Sequence, residues 1–249
     1  MSKVLVIGDI CEDVYIYGKC NRMSPAAPVP VFVETKHTRN LGMAGNVHKN
    51  LEALGVESAL VCQQRWFPVK KRLVEEKTNH MIVRIDDDVK PERLVMPRKE
   101  ILETFDAVIV SDYDKGALTE EDIIYLCENH PHVFVDTKKK ISALWDDKAF
   151  CIKINEQEYE RSFSNNGHYH DNLIVTLSES GCSYRGKRYG VEKVEVKDLA
   201  GAGDTFLAAL VTKWVEEKDM IEAIKFANQC ATQVVQQRGV SIIELKENK

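Results

Sequence analysis

Six short apolar runs constrain the fold of this chain more than any other feature: Lys3-Val-Leu-Val-Ile-Gly8, Ser58-Ala-Leu-Val-Cys62, Asp106-Ala-Val-Ile-Val110, Val133-Phe-Val-Asp136, Cys151-Ile-Lys-Ile-Asn155 and Leu173-Ile-Val-Thr176. Runs of this length without polar alternation are strands buried on both faces, and such strands belong to parallel sheets. Helical patterns fall between them. One runs from Val47 to Leu54 and stops at Gly55, and one begins near Thr119 with an acidic first turn, Glu120, Glu121 and Asp122. Strands alternating with helices predict an α/β fold with a doubly wound, mostly parallel sheet. Ligands of open α/β sheets bind at the carboxyl ends of the strands, and polar residues stand at or just beyond those ends: Asp9 and Asp13, Ser111 and Asp112, Asp136, Asn155 and Thr176.

A second group of extended segments is more polar. Val14–Tyr17 and Val29–Val33 bracket the stretch Asn21-Arg-Met-Ser-Pro-Ala-Ala-Pro28, and Lys70–Val74 and Met81–Ile85 follow later. Together they are expected to make a small separate β-sheet lid, with Pro28 and Pro30 at edge positions. Cys182–Tyr184 and Tyr189–Val196 read as hairpin-like pieces behind the last core strand. The reading is thus of a single domain over 1–249, with lid strands inserted at about 14–35 and 68–88.

The chemistry concentrates in Asp198-Leu-Ala-Gly-Ala-Gly-Asp-Thr-Phe206, which runs into the helical pattern Leu207, Ala208, Leu210, Val211 and Trp214. Glycines just before a helix leave backbone N–H groups uncovered at its positive end, where a phosphate or developing oxyanion can sit. Asp204 falls in the first turn, beside that site, where the helix dipole is expected to hold it ionised and ready to accept a proton. This is the layout of a phosphoryl-transfer site. An aspartate N-cap after a flexible glycine turn is the alternative reading of the same residues.

A net charge of -5 gives no reason to expect nucleic-acid binding. Seven cysteines stand singly, without a C-x-x-C pair, as reduced thiols of a cytoplasmic protein do. No apolar run reaches the length of a membrane span and no signal-peptide pattern opens the chain. His130, His132, His168 and His170 form two H-x-H pairs in apparent loops, short of the third ligand that a metal site needs.

With the strand ends aligned, the chain resembles the ribokinase-like, PfkB-type carbohydrate kinases over nearly its whole length, and among them the D-glycero-β-D-manno-heptose 7-phosphate kinases. The resemblance lies in Gly8-Asp-Ile-Cys-Glu-Asp13, Arg22-Met-Ser-Pro-Ala-Ala-Pro-Val-Pro30, Ser111-Asp-Tyr-Asp-Lys-Gly-Ala-Leu118, Val135-Asp-Thr-Lys138 and the motif with Asp204. It implies ATP and Mg²⁺ as cofactors and a sugar or sugar phosphate as acceptor; separately, the lid strands Val14–Tyr17 and Val29–Val33 would expose unpaired edges and apolar faces on a lone chain, so a homodimer through the lid is expected. The resemblance further implies that Asp204 is the base and that Gly201, Ala202 and Gly203 form the anion hole. Asp13, Gly42, Asn46, Asp112 and Asp136 are then expected around the sugar, with Lys71, Arg72 and Lys115 as a cradle for its phosphate. Lys138, Asn155, Thr176, Gly181 and Asn228 are expected at the nucleotide, and Glu158 at Mg²⁺ through water. A kinase for another sugar or a nucleoside, or a silent binding homologue, remains the alternative.

The chain departs from the family pattern at Met43 and Ser178, where glycines are usual, and at Ala200, where threonine is usual. About two dozen residues usual after Val61 are absent, and the helix usual after Asn155–Glu158 is expected to shrink to a loop at 162–170.

Overall fold

The computed structural model describes residues 2–87, 89–163, 170–237, 239 and 242–244. Twelve strands and six helices follow one another as β1 (Lys3–Gly8), β2 (Ile10–Lys19), β3 (Val33–Met43), α1 (Ala44–Ala53), β4 (Glu57–Val61), β5 (Val69–Glu75), β6 (Met81–Asp87), α2 (Lys99–Leu102), β7 (Ala107–Asp112), α3 (Glu120–Asn129), β8 (Val133–Thr137), β9 (Cys151–Asn155), α4 (Glu156–Phe163), β10 (Leu173–Thr176), β11 (Cys182–Tyr184), β12 (Lys187–Tyr189), α5 (Ala202–Glu217) and α6 (Met220–Val234).

The main sheet has the order β12-β11-β10-β9-β8-β7-β1-β4. Its six strands from β10 to β4 run parallel, and β11 and β12 close it as an antiparallel hairpin. The alternation of side chains along each strand feeds two cores. Val4, Val6, Ala107 and Ile109 pack with α1, α5 and α6 on one face, whereas Leu5, Ile7, Val108 and Val110 pack with α3 on the other. All six apolar runs are therefore strands of this sheet, covered as their composition demands.

The second sheet has the order β3-β2-β5-β6, with β2 and β5 parallel and both outer pairs antiparallel. One of its strands lies elsewhere than expected. Of the Val29–Val33 run only Val33 joins a ladder, as the first residue of β3; before it Pro30 makes an isolated bridge to Met23, because prolines supply no N–H to a ladder. The strand is instead β3, whose first seven residues are all exposed. A strand wet on both faces carries no apolar alternation for a sequence reading to find.

Three further expectations are corrected. Tyr189–Val196 is not a strand: β12 ends at Tyr189, after a tight turn in which Arg185 and Gly186 both take positive φ (48° and 71°). The segment after Asn155 is the helix α4 rather than a loop through 162 and 163, and residues 164–169 lie outside the described set. Helix α1 starts at Ala44, three residues before Val47, because Met43 already turns the chain with φ 59°. Helix α6 is an element that the motif reading passed over. Asp219 caps it through bonds to the N–H groups of Ile221 and Glu222. After β4, an edge strand of the main sheet, the chain passes straight to the lid without an intervening helix.

Candidate active site

The N-terminus of α5 is set by its approach loop. Asp198 accepts the Ala200 N–H at 2.9 Å on one oxygen and the Gly239 N–H at 3.1 Å on the other. Gly201 then takes φ 83°, the left-handed conformation that favours glycine, and the helix begins at Ala202. Its first-turn N–H groups, those of Gly203 and Asp204 among them, have no partner within the helix. Lys153 approaches from below: its Nζ would lie 3.0 Å from a Cβ placed on Gly203, and it pairs with the buried Asp136 at 2.6 Å. A buried cation thus lies beside the N-terminus of α5.

Asp204 is 5% exposed and its two oxygens are held separately. Oδ1 accepts the Tyr113 hydroxyl at 2.6 Å, and Oδ2 accepts Asn46 Nδ2 at 3.0 Å. Asn46 is fixed in turn by Asn50, whose Nδ2 donates to the Asn46 carbonyl at 2.8 Å and whose Oδ1 accepts Thr205 Oγ1 at 3.2 Å. Burial raises the Asp204 carboxyl from 3.8 to about 6, against the lowering effect of the Tyr113 and Asn46 bonds. Burial thus works against the helix dipole that is expected to hold this group ionised. A dipole contributes about 0.3–1 kcal/mol at an exposed terminus, less than the loss of water around a buried carboxylate. The outcome suits a base, which works best with a pKa near the operating pH.

The lid faces this centre with β2. Asp13 is buried and forms an ion pair with Arg72, whose guanidinium also lies 4.9 Å from the Tyr15 ring centre. The Cys11 thiol contacts Asp13 Oδ2 at 3.6 Å, and a Cβ on Gly42 would strike that oxygen, so Gly42 is where the β3 backbone closes over the carboxylate. Of the phosphate cradle expected from Lys71, Arg72 and Lys115, Lys71 and Arg72 are turned apart. Neighbours on a strand point to opposite faces, so Lys71 is exposed on the far side of the lid while Arg72 is committed to Asp13. Lys70, opposite Asp13 in the ladder, is the lysine on the Asp13 side. Lys115 donates its backbone N–H to Asp9 at 3.3 Å. Asp112 does not face a sugar either. Its oxygens accept Lys139 Nζ at 2.8 and 2.9 Å, Thr137 Oγ1 at 2.5 Å and the Asp114 N–H at 3.0 Å, which saturates the carboxylate. Asp136 is paired with Lys153 through one of its oxygens.

The residues expected at the nucleotide gather at one corner of the sheet. Thr176 pairs with Asn155 across β9–β10 and with Cys182 across β10–β11. Gly181 turns the chain with φ 81°, packed so tightly on the Tyr189 carbonyl that a Cβ would strike it. Asn228 of α6 donates to that same carbonyl at 2.9 Å. Asn155 and Glu158 bond reciprocally: the Asn155 N–H reaches Glu158 Oε2 at 2.8 Å and the Glu158 N–H reaches Asn155 Oδ1 at 2.9 Å. The other Glu158 oxygen holds Lys138. Here the pair caps α4, so a role for Glu158 at a metal is confined to contacts through water. These residues suit Mg²⁺ held mainly by phosphates and water, the usual manner for this ion. No cluster of three or more His, Cys, Asp or Glu occurs among the described residues. His130 bonds the Phe105 carbonyl and the His132 N–H, a structural use, and His168 lies outside the described set.

The motif reading missed Tyr113, Lys153, Asn50, Lys70 and Gln63, the partner of Asp9. Tyr113 sits inside the motif Ser111–Leu118 and Lys153 between two isoleucines of a buried strand, which were the available signals.

Residues 98–247 match the pfkB family of carbohydrate kinases. The chain is 31% identical over 306 residues to the bifunctional protein HldE of Helicobacter pylori, covering 99% of this chain and 65% of that protein. It is 35% identical over 295 residues to the HldE of Nitratiruptor sp., covering 98% and 64%. The chain thus spans just under two thirds of the length of these relatives. Both alignments run longer than its own 249 residues, so the relatives carry insertions that it lacks. The solved structure of Arabidopsis thaliana ribokinase complexed with ribose and ATP superposes with a TM-score of 0.71 at 16% identity, over 98% of this chain and 96% of that one, a likeness of fold. No described helix is long and apolar enough to cross a membrane.

Proposed function

The chain belongs to the pfkB family of carbohydrate kinases, and on that premise we propose that it transfers the γ-phosphoryl group of ATP to a hydroxyl of a sugar phosphate, D-glycero-β-D-manno-heptose 7-phosphate being the candidate acceptor. The observation that carries the reading is Asp204, a buried carboxylate in the first turn of α5 with its pKa brought to about 6, facing the lid that presents Asp13. Asp13 and Asn46 orient the acceptor, and Asp204 takes its proton as the hydroxyl oxygen attacks phosphorus. The N–H groups at the start of α5, backed by Lys153, meet the charge of the transferring group. Thr176, Gly181 and Asn228 line the nucleotide, with Lys138 towards its phosphates. Asn155 and Glu158 would hold Mg²⁺ through its waters, and the ion when bound would neutralise phosphate charge. The lid excludes water as a competing nucleophile.

The heptose assignment rests on the Arg22–Pro30 resemblance and on the similarity to HldE. The phosphate contact is assigned to the Lys70 side of the lid rather than to Lys71. An ATP-consumption screen over neutral sugars and sugar phosphates, heptose 7-phosphate included, tests the whole. We expect kcat/KM for the phosphorylated acceptor to exceed that for any neutral sugar by at least about tenfold, the yield of one charge-assisted contact. Equal values, or a preference for ribose or fructose, would remove the heptose reading and leave the kinase.

A further inference from the structure

The transfer scheme above makes no use of the Tyr113 hydroxyl, although at 2.6 Å it donates the shorter of the two side-chain hydrogen bonds to Asp204. The loop that carries Tyr113 is fixed independently of that hydroxyl. Asp9 Oδ2 accepts the N–H groups of Tyr113 at 2.8 Å and Lys115 at 3.3 Å, while Asp9 Oδ1 accepts Gln63 Nε2 at 3.1 Å. The Asp114 N–H is bound by Asp112, itself locked by Lys139 and Thr137. The phenol is thus aimed by a rigid frame at one oxygen of the base, while Asn46 holds the other.

We propose that Tyr113 is a positioning residue of the kinase: its hydroxyl fixes the plane of the Asp204 carboxylate against the acceptor and holds it in the ionised form, setting the acid limb of the pH–rate profile. The inference rests on the reading of Asp204 as base. In the step, the sugar O–H bond breaks as the O–P bond to the γ-phosphorus forms. The bond to the leaving ADP oxygen breaks, the sugar proton passes to a free lone pair of Asp204, and the Tyr113 proton stays where it is.

Several charged groups face Asp204. Asp136 of β8 raises its pKa and Lys153 of β9 lowers it, while Lys138 beyond β8 and Cys11 of β2 also sense its charge. Burial is the largest influence, and the Tyr113 bond is the largest one opposing it. The phenol itself is pushed well above its ordinary value of 10.0, by burial first and by the Asp204 charge next, so it remains a donor throughout the working range.

The test is Tyr113→Phe, which deletes one oxygen and keeps the ring, with Tm confirming the fold. The Asp204 midpoint is read by carbon-13 carboxyl NMR, with Asp204→Asn supplying the assignment, and kcat/KM is followed from pH 5 to 9. Losing a bond to the charged form shifts the midpoint upward by about one unit or more. Activity then falls about tenfold or more on the acid side and recovers towards the parent at alkaline pH. An unmoved midpoint, or a loss equal at every pH, would overturn the proposal. The NMR titration needs no turnover. A chain that phosphorylated no sugar would remove the kinase reading, while the Asp204 midpoint would still uphold or overturn the coupling to Tyr113.

Discussion

Asp204 carries opposing demands on one side chain. Its folded pKa lies near 6 and its unfolded value near 3.8, so the folded state binds the extra proton between these values and stability falls as pH rises through that window. Above it the cost is constant, as much as about 3 kcal/mol on the conversion of 1.36 kcal/mol per unit. Asp204→Asn is therefore expected to raise Tm at pH 7–8, to lose that advantage below about pH 4, and to reduce kcat by roughly 10²-fold to 10⁴-fold while ATP still binds. Parental turnover in this variant would make Asp204 no more than a helix cap. Two departures from the family pattern also find their physics at this scale. Met43 has φ 59° and Ser178 has φ 50°, so both stand where the backbone favours glycine. Such strain costs on the order of 1–3 kcal/mol. At Met43 the side chain, 3% exposed, offsets it by burial.

Among the elements, the β10–β11 turn shapes the corner proposed for the nucleotide. Gly181 has both reasons to be glycine: a positive φ, and the Tyr189 carbonyl where a Cβ would go. Gly181→Ala must push β12 away from β11 or distort the turn, and the carbonyl it displaces is the one bound by Asn228. We expect KM for ATP to rise at least about tenfold and stability to fall by about 1–3 kcal/mol, as an overpacked site does. An isothermal titration with unchanged ATP affinity would remove Gly181 from the nucleotide site. Helix α3 was legible because its signals are local: Thr119 and Asp122 form a capping box, with both reciprocal bonds present. Strand β3 was not, since its partners in β2 lie some twenty residues away and no burial pattern marks it.

For the molecule as a whole, the lid raises the question of assembly. Met81, Val83 and Ile85 of β6 are 49%, 43% and 51% exposed, and β3 and β6 present open edges. Val83 and Ile85 share the face of Lys71, away from Asp13. A second copy packed on that face would cover both apolar area and edges, so light scattering at tens of micromolar is expected to give a dimer. A Val83→Lys, Ile85→Lys variant is expected to give a monomer. A parental chain that scatters as a monomer would end this idea.

The sequence by itself determined the main sheet, the glycine turn into α5, the place of Asp204 in its first turn and the presence of a second, smaller sheet. These follow from patterns read within a few residues of one another: unbroken apolar runs, a glycine turn before a helix, polar residues at strand ends. Only the tertiary structure decided which polar groups meet. Asp13 with Arg72, Asp112 with Lys139, Asp136 with Lys153 and Asp204 with Tyr113 join residues 17 to 91 positions apart. Each partnership reassigns a side chain that the motifs had given to the substrate or had not noticed. The physical reason is that a buried charge costs several kcal/mol unless it is paired. The pairing depends on which strand ends lie side by side, and strand order is a property of the folded sheet rather than of any local run.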